Sequence, residues 1–166
     1  MFKHSITAST LALAALVALS APVLASGAHE GGHGEMAAGK PGKPGKASAV
    51  DRTIEISMKE NEDGQMLFSP SEIKAKKGET VRLVIKNTGE TDHEFVLDTP
   101  KEIVEHKALM EKFPEMEHDD PNSLRLAPGA TGEIVWTFSN AGSFEFACLI
   151  PGHYEAGMHG DVKVSS

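Results

Sequence analysis

From Asp51 to the C-terminus, apolar and polar residues alternate in short runs, and this period of two commits the region to β-structure. Ile54, Ile56 and Met58 share one face of the first run; Val81, Leu83 and Ile85 share one face of another. The pattern recurs in Phe95 and Leu97, in Ile134, Trp136 and Phe138, in Phe144 and Phe146, and in Val162 and Val164. Between the runs lie Lys77-Gly78-Glu79, Asn87-Thr88-Gly89, Pro128-Gly129 and Asn140-Ala141-Gly142, all rich in residues that favour turns. Many short half-buried strands joined by turns predict an all-β domain, an antiparallel sandwich or a barrel. About 115 residues are enough to enclose one core.

Residues 99–127 depart from this rhythm. Thr99-Pro100-Lys101-Glu102 combines a capping side chain, proline at the first helical position and a glutamate three residues after the cap. Ile103, Lys107 and Met110 follow at helical spacing until Phe113-Pro114. A short helix near 100–112 is expected, followed by the acidic stretch EMEHDDPN, as an insertion between strands.

The N-terminus carries Lys3 and His4, the apolar run LALAALVAL from Leu11 to Leu19, and the small-residue ending Val23-Leu24-Ala25. This is the layout of a secretory signal peptide, residues 1–25, with cleavage near Ala25. The run is short of the roughly 20 residues that cross a bilayer, so no stable membrane anchor is expected. Residues 26–50, with the repeat GKPGKPGK and few large apolar side chains, read as a flexible leader ahead of a domain at 51–166. The formal net charge of −8 disfavours nucleic acid and anionic lipid as partners and suits cationic ones, metal ions included.

Cys148 is the only cysteine, so an exported chain would have no internal disulfide, and a lone thiol there requires burial or ligation. Its neighbours supply a reason. Cys148-Leu-Ile-Pro-Gly-His153-Tyr-Glu-Ala-Gly-Met158 is a C-x4-H-x4-M arrangement, and Cys148 shares strand parity with Phe144 and Phe146. Upstream, His93 shares parity with Phe95 and Leu97 and should point inward. Alone, such a histidine is more simply a hydrogen-bonded core residue. With a thiolate, a second imidazole and a thioether it completes the ligand set of a type 1 copper site. Zinc is the rival metal, but structural zinc commonly takes several cysteines and catalytic zinc rarely a methionine. A buried inert thiol beside an unrelated Met158 is the metal-free alternative.

The segment FSPSEIKAKKGETVRLVIKNTG, His93, and TFSNAGSFEFACLIPGHYEAGMHGDVKV together resemble the cupredoxins, the group of plastocyanin, azurin and rusticyanin. The resemblance spans nearly all of 51–166. It implies a Greek-key β-sandwich with copper near one end, His93 at a strand end, and Cys148, His153 and Met158 on the last loop. More narrowly, DHEFVL, FPEMEHDDPNSLRLAPG and CLIPGHYEAGM resemble the periplasmic copper-tolerance cupredoxins called CopI, which implies copper handling under copper stress. One position departs from the wider family. Where many members carry Asn or Ser after the first histidine, this chain has Glu94, and an ionised carboxylate cannot donate to the cysteine sulfur. The surroundings of the site are therefore expected to differ, and a greener site is one consequence.

Further soft and imidazole residues form two groups: His29, His33 and Met36 in the leader, and His106, Met110, Met116 and His118 in the insertion. They are either secondary copper ligands or, for Met110, core packing and, for the histidines, solvated side chains. The i,i+4 spacing of His106 and Met110 predicts one helix face for both. Three roles compete: a copper-tolerance protein that binds or passes on copper, to an exporter for example; a one-electron carrier serving a periplasmic redox protein; and an enzyme. Copper oxidases and nitrite reductases need further copper centres, and a binuclear site of the cytochrome oxidase kind needs two cysteines. One sandwich with a single full ligand set is expected not to be an enzyme.

Overall fold

The structure, a computed structural model, describes residues 39–114, 116 and 120–166. Among these residues ten strands, one α-helix and a short 3-10 turn (Ala47–Ala49) occur, the strands and α-helix in the order β1 (Gly42–Pro44), β2 (Arg52–Glu60), β3 (Met66–Ser69), β4 (Glu72–Lys76), β5 (Thr80–Asn87), β6 (His93–Asp98), α1 (Pro100–Lys112), β7 (Ser123–Leu126), β8 (Thr131–Phe138), β9 (Gly142–Ala147) and β10 (His159–Ser165). They form two five-stranded sheets, ordered β1-β8-β5-β2-β3 and β4-β10-β9-β6-β7, which face each other as a sandwich. The barrel alternative is excluded. Most neighbours are antiparallel, but β2 pairs with β5 in parallel and β10 with β4 in parallel, so each sheet is mixed.

The period of two works as the sequence implies. Ile56, Met58, Val81, Leu83, Ile85, Phe95, Leu97, Trp136, Phe138, Phe146 and Val162 are at most 1 % exposed and belong to one cluster between the sheets. A slip of one residue in any of these strands would turn its apolar set to solvent, which fixes the register.

Strand β6 breaks the alternation, because His93, Glu94, Phe95, Val96 and Leu97 are all buried. The helix explains this. Thr99 Oγ1 accepts the Glu102 N–H at 3.2 Å, Pro100 occupies the first turn, and α1 lies over the outer face of β6 and β9. Ile103 and Met110 of α1 close a second small core with Val96, Ala147 and Leu149. The expected helix stands, and the insertion also contributes an edge strand, since β7 pairs with β6, His93 opposite Leu126.

The boundary at Asp51 needs correcting. Gly42–Pro44 pairs with Trp136–Phe138, the Gly45 N–H donates to Val135 O at 2.8 Å, and Lys40 bridges to Asp98 at 2.9 Å. The lysine-proline repeat thus supplies an edge strand to the first sheet. Proline is tolerated there because an edge strand leaves some N–H positions unused.

Candidate metal centre

The second sheet brings the candidate ligands to one end. His93 opens β6, Cys148 directly follows β9, and β9 pairs with both β6 and β10, His159 lying opposite Ala147. Residues 148–158 therefore leave and re-enter the sheet beside His93. This loop is closed by its own backbone: the Cys148 N–H donates to Met158 O, the Met158 N–H to His153 O and the His153 N–H to Ile150 O, each at 3.0 Å.

His93, Cys148 and His153 meet. Their ligand atoms all lie within 4.8 Å of one another, with His93 Nδ1 3.3 Å from His153 Nδ1 and Cys148 Sγ 3.4 Å from His153 Nδ1. Such separations are what two bonds of about 2.0–2.3 Å to one shared ion subtend. The donor set fits copper: two nitrogens and one sulfur converge from two elements without a crowding carboxylate oxygen among them. Met158 is fully buried in the same cluster as Cys148. His93 and Cys148 are likewise buried, while His153 is half-buried, beside half-buried Ile150 and exposed Pro151.

The environment sets the protonation chemistry. Burial pushes the Cys148 thiol up to about 12, against the opposing pull of the Glu94 and Ile150 N–H groups. Burial also holds both imidazoles below the ordinary histidine value, although the Glu60 carboxylate opposes this at His93. Neutral imidazoles are ready to ligate, whereas the thiol must give up its proton as a metal binds. In the same core cluster as Cys148, Phe95 and Phe146 stack at 5.4 Å and Phe68 meets Phe146 edge-on at 5.0 Å, and Cys148 itself is wholly shielded from water.

The loop is also held from outside. The Tyr154 hydroxyl donates to Glu145 Oε1 at 2.7 Å, its ring stacks on His159 at 4.7 Å, and Lys107 of α1 bonds Glu155 while standing 5.9 Å above the Tyr154 ring. The insertion thus grips the loop that carries His153.

Four groups near the site were not singled out from the sequence. Glu60, at the end of β2, places Oε1 3.1 Å from His93 Nε2. Asn87 donates to Thr91 O at 2.8 Å and Leu126 O at 2.9 Å and accepts the Gly89 N–H at 2.9 Å, tying together the segments on either side of His93. Gly89 abuts Glu60 and His93, and Thr91 bonds Glu60. A polar strand end and an Asn-Thr-Gly turn are unremarkable locally; only the tertiary pairing reveals them.

Of the secondary candidates, Met110 is 1 % exposed and packs in the small core, with Met116 partly buried against it. His106 and Met116 line one open cavity of about 530 Å³ with Lys40, Asp98, Glu102 and Asp120. Met110 is buried and does not line it, so His106 and Met110 do not present a common exposed face. His29, His33, Met36 and His118 lie outside the described residues.

A copper-binding β-sandwich of this kind defines a cupredoxin, and the comparisons agree: residues 54–165 match the profile of the copper binding proteins, plastocyanin/azurin family, and the chain belongs to it. It is 47 % identical over 158 residues to the copper-resistant cuproprotein CopI of Rubrivivax gelatinosus, covering 93 % of each chain. It is 38 % identical to CopI of Pseudomonas aeruginosa over 152 residues, covering 74 % of this chain and 81 % of that one. Among solved structures, reduced auracyanin from Roseiflexus castenholzii superposes with a TM-score of 0.59 at 24 % identity, covering 70 % of this chain and 99 % of that one, a likeness of fold.

Proposed function

We propose that this protein holds one copper ion through His93 Nδ1, Cys148 Sγ, His153 Nδ1 and the Met158 thioether, and that it serves copper tolerance in the periplasm by binding, redox-buffering or passing on copper. The observation that carries the reading is the convergence of His93, Cys148 and His153, whose ligand atoms lie within 4.8 Å of one another. Copper held by this donor set supplies reversible one-electron chemistry. The protein's part is to fix the donors: the second sheet anchors them, the loop hydrogen bonds hold His153 and Met158 in register, and burial in the aromatic-rich core keeps water from the sulfur. Similarity to the two copper-resistant cuproproteins supports the tolerance role. The signal-like residues 1–25 support export, and no helix among the described residues is long and apolar enough to cross a membrane.

The half-buried His153 edge supports a second reading, one-electron exchange with a periplasmic redox protein, because an imidazole reaching the surface shortens the path to a partner. Deletion of the gene separates the two. Growth loss in copper-containing medium, restored by the wild-type chain but not by Cys148→Ser, is the outcome expected of the tolerance role. Normal growth in copper with loss of a respiratory activity would replace it by the carrier role.

A further inference from the structure

Glu60 stands at the end of β2 with its carboxylate between the turn before β6 and the His93 ring. Oε2 accepts the Glu90 N–H at 2.9 Å, and Oε1 accepts the Thr91 N–H at 3.1 Å and the Thr91 hydroxyl. Oε1 also lies 3.1 Å from His93 Nε2, off the ring N–H axis, so the contact is one of charge with dipole rather than an aligned hydrogen bond. The three bonds from Glu90 and Thr91 leave the carboxylate little freedom to swing away. Gly89 completes the arrangement: a Cβ there would stand 2.1 Å from Glu60 Oε2 and 2.9 Å from His93 Nε2, so only glycine lets the two groups approach.

His93 Nδ1 faces Cys148 and His153, so ligation through Nδ1 puts the ring proton on Nε2, the nitrogen beside Glu60. Resting on the copper-site reading above, we infer that Glu60 is a positioning residue for His93: its carboxylate fixes the ring tautomer and orientation and biases bound copper toward Cu(II). Two physical effects act in the same direction. A carboxylate on the distal nitrogen raises the basicity of the ligating one. A fixed negative charge behind the imidazole stabilises the more highly charged oxidation state.

The test compares full-length wild type, Glu60→Gln and Glu133→Gln, each loaded with copper, by visible absorption and by reduction potential. Glu133 pairs with Arg82 on the first sheet, so its variant removes one negative charge away from the site. Glu60→Gln is expected to weaken Cu(II) binding about tenfold, with Cu(I) binding less affected, and so to raise the potential. Glu133→Gln is expected to leave the potential at the wild-type value. Gly89→Ala, which displaces the carboxylate while keeping its charge, is expected to shift the potential in the same direction as Glu60→Gln, and it decides the matter should Glu60→Gln fail to fold. Thiolate-to-copper bands in all variants with equal potentials in wild type and Glu60→Gln, or in wild type and Gly89→Ala where that variant decides, would overturn the role of Glu60 and leave the copper site standing. Equal shifts in Glu60→Gln and Glu133→Gln would overturn it too, reducing the effect to net charge. Absence of the bands in wild type would instead remove the copper site itself.

Discussion

The Glu94 N–H donates to Cys148 Sγ at 3.3 Å, so the residue after the first histidine supports the sulfur from its backbone rather than its side chain. The missing side-chain donor at this position is thereby replaced, and the tie between neighbouring segments passes to Asn87. Because the donor is the main chain, Glu94→Gln should keep the thiolate-to-copper band in the visible spectrum. Cys148→Ser should lose it entirely while retaining the far-ultraviolet dichroism of the β-sandwich. A Glu94→Gln protein that folds but stays colourless would show that the carboxylate itself is required.

Stability of the metal-free protein should depend on Glu60 in acid. Burial raises its pKa, but the Thr91 hydroxyl and the Glu90 and Thr91 N–H groups outweigh this and hold it at about 2, below the ordinary 4.5. A depressed folded-state pKa stabilises the fold above pH 4.5 and loses that contribution as pH falls toward 2. Denaturant unfolding at stepped pH should therefore fall less steeply for Glu60→Gln than for wild type across this window. Parallel curves would count against the assignment.

Cys148 gives the opposite slope. Its folded-state pKa of about 12 lies above the ordinary 9.0, so burial of the neutral thiol favours the fold below pH 9 and loses that advantage as pH rises toward 12. Metal-free wild type should thus lose stability over this range more steeply than Cys148→Ser. Copper uptake should release a proton, measurable in weakly buffered solution.

Met110 separates packing from ligation. Fully buried under α1 with Ile103 and Leu149, it should cost about 2–5 kcal/mol when cut to alanine. Copper stoichiometry by titration should not change. A lost equivalent of copper in a well-folded Met110→Ala protein would restore the ligand reading.

Tyr154 tests the grip on the ligand loop. Tyr154→Phe removes the 2.7 Å bond to Glu145 while keeping the stack on His159, and should cost about 1 kcal/mol in urea unfolding. An unchanged midpoint would show that the loop is held by its backbone alone.

Strand positions and the inward direction of His93 and Cys148 were legible because a period of two is a local property: parity with Phe95 and Phe146 is enough. The helix was legible for the same reason, through Thr99, Pro100 and Glu102. What the sequence hid was tertiary. The Gly42–Pro44 strand lacks large apolar residues and forms only because β8 offers an open edge. Likewise, nothing near Glu60 in the chain signals a histidine partner; β2 and the turn before β6 must first be laid side by side. For His106 and Met110 the spacing places both on one side of the helix without saying where burial ends: Met110 lies in the small core and His106 is half-buried at the open cavity.

Copper-edge X-ray absorption on the copper-loaded wild-type protein tests the central claim most directly. One short copper–sulfur bond together with two imidazole nitrogens is the expected shell. A shell of oxygen and nitrogen alone, with no short sulfur, would contradict it.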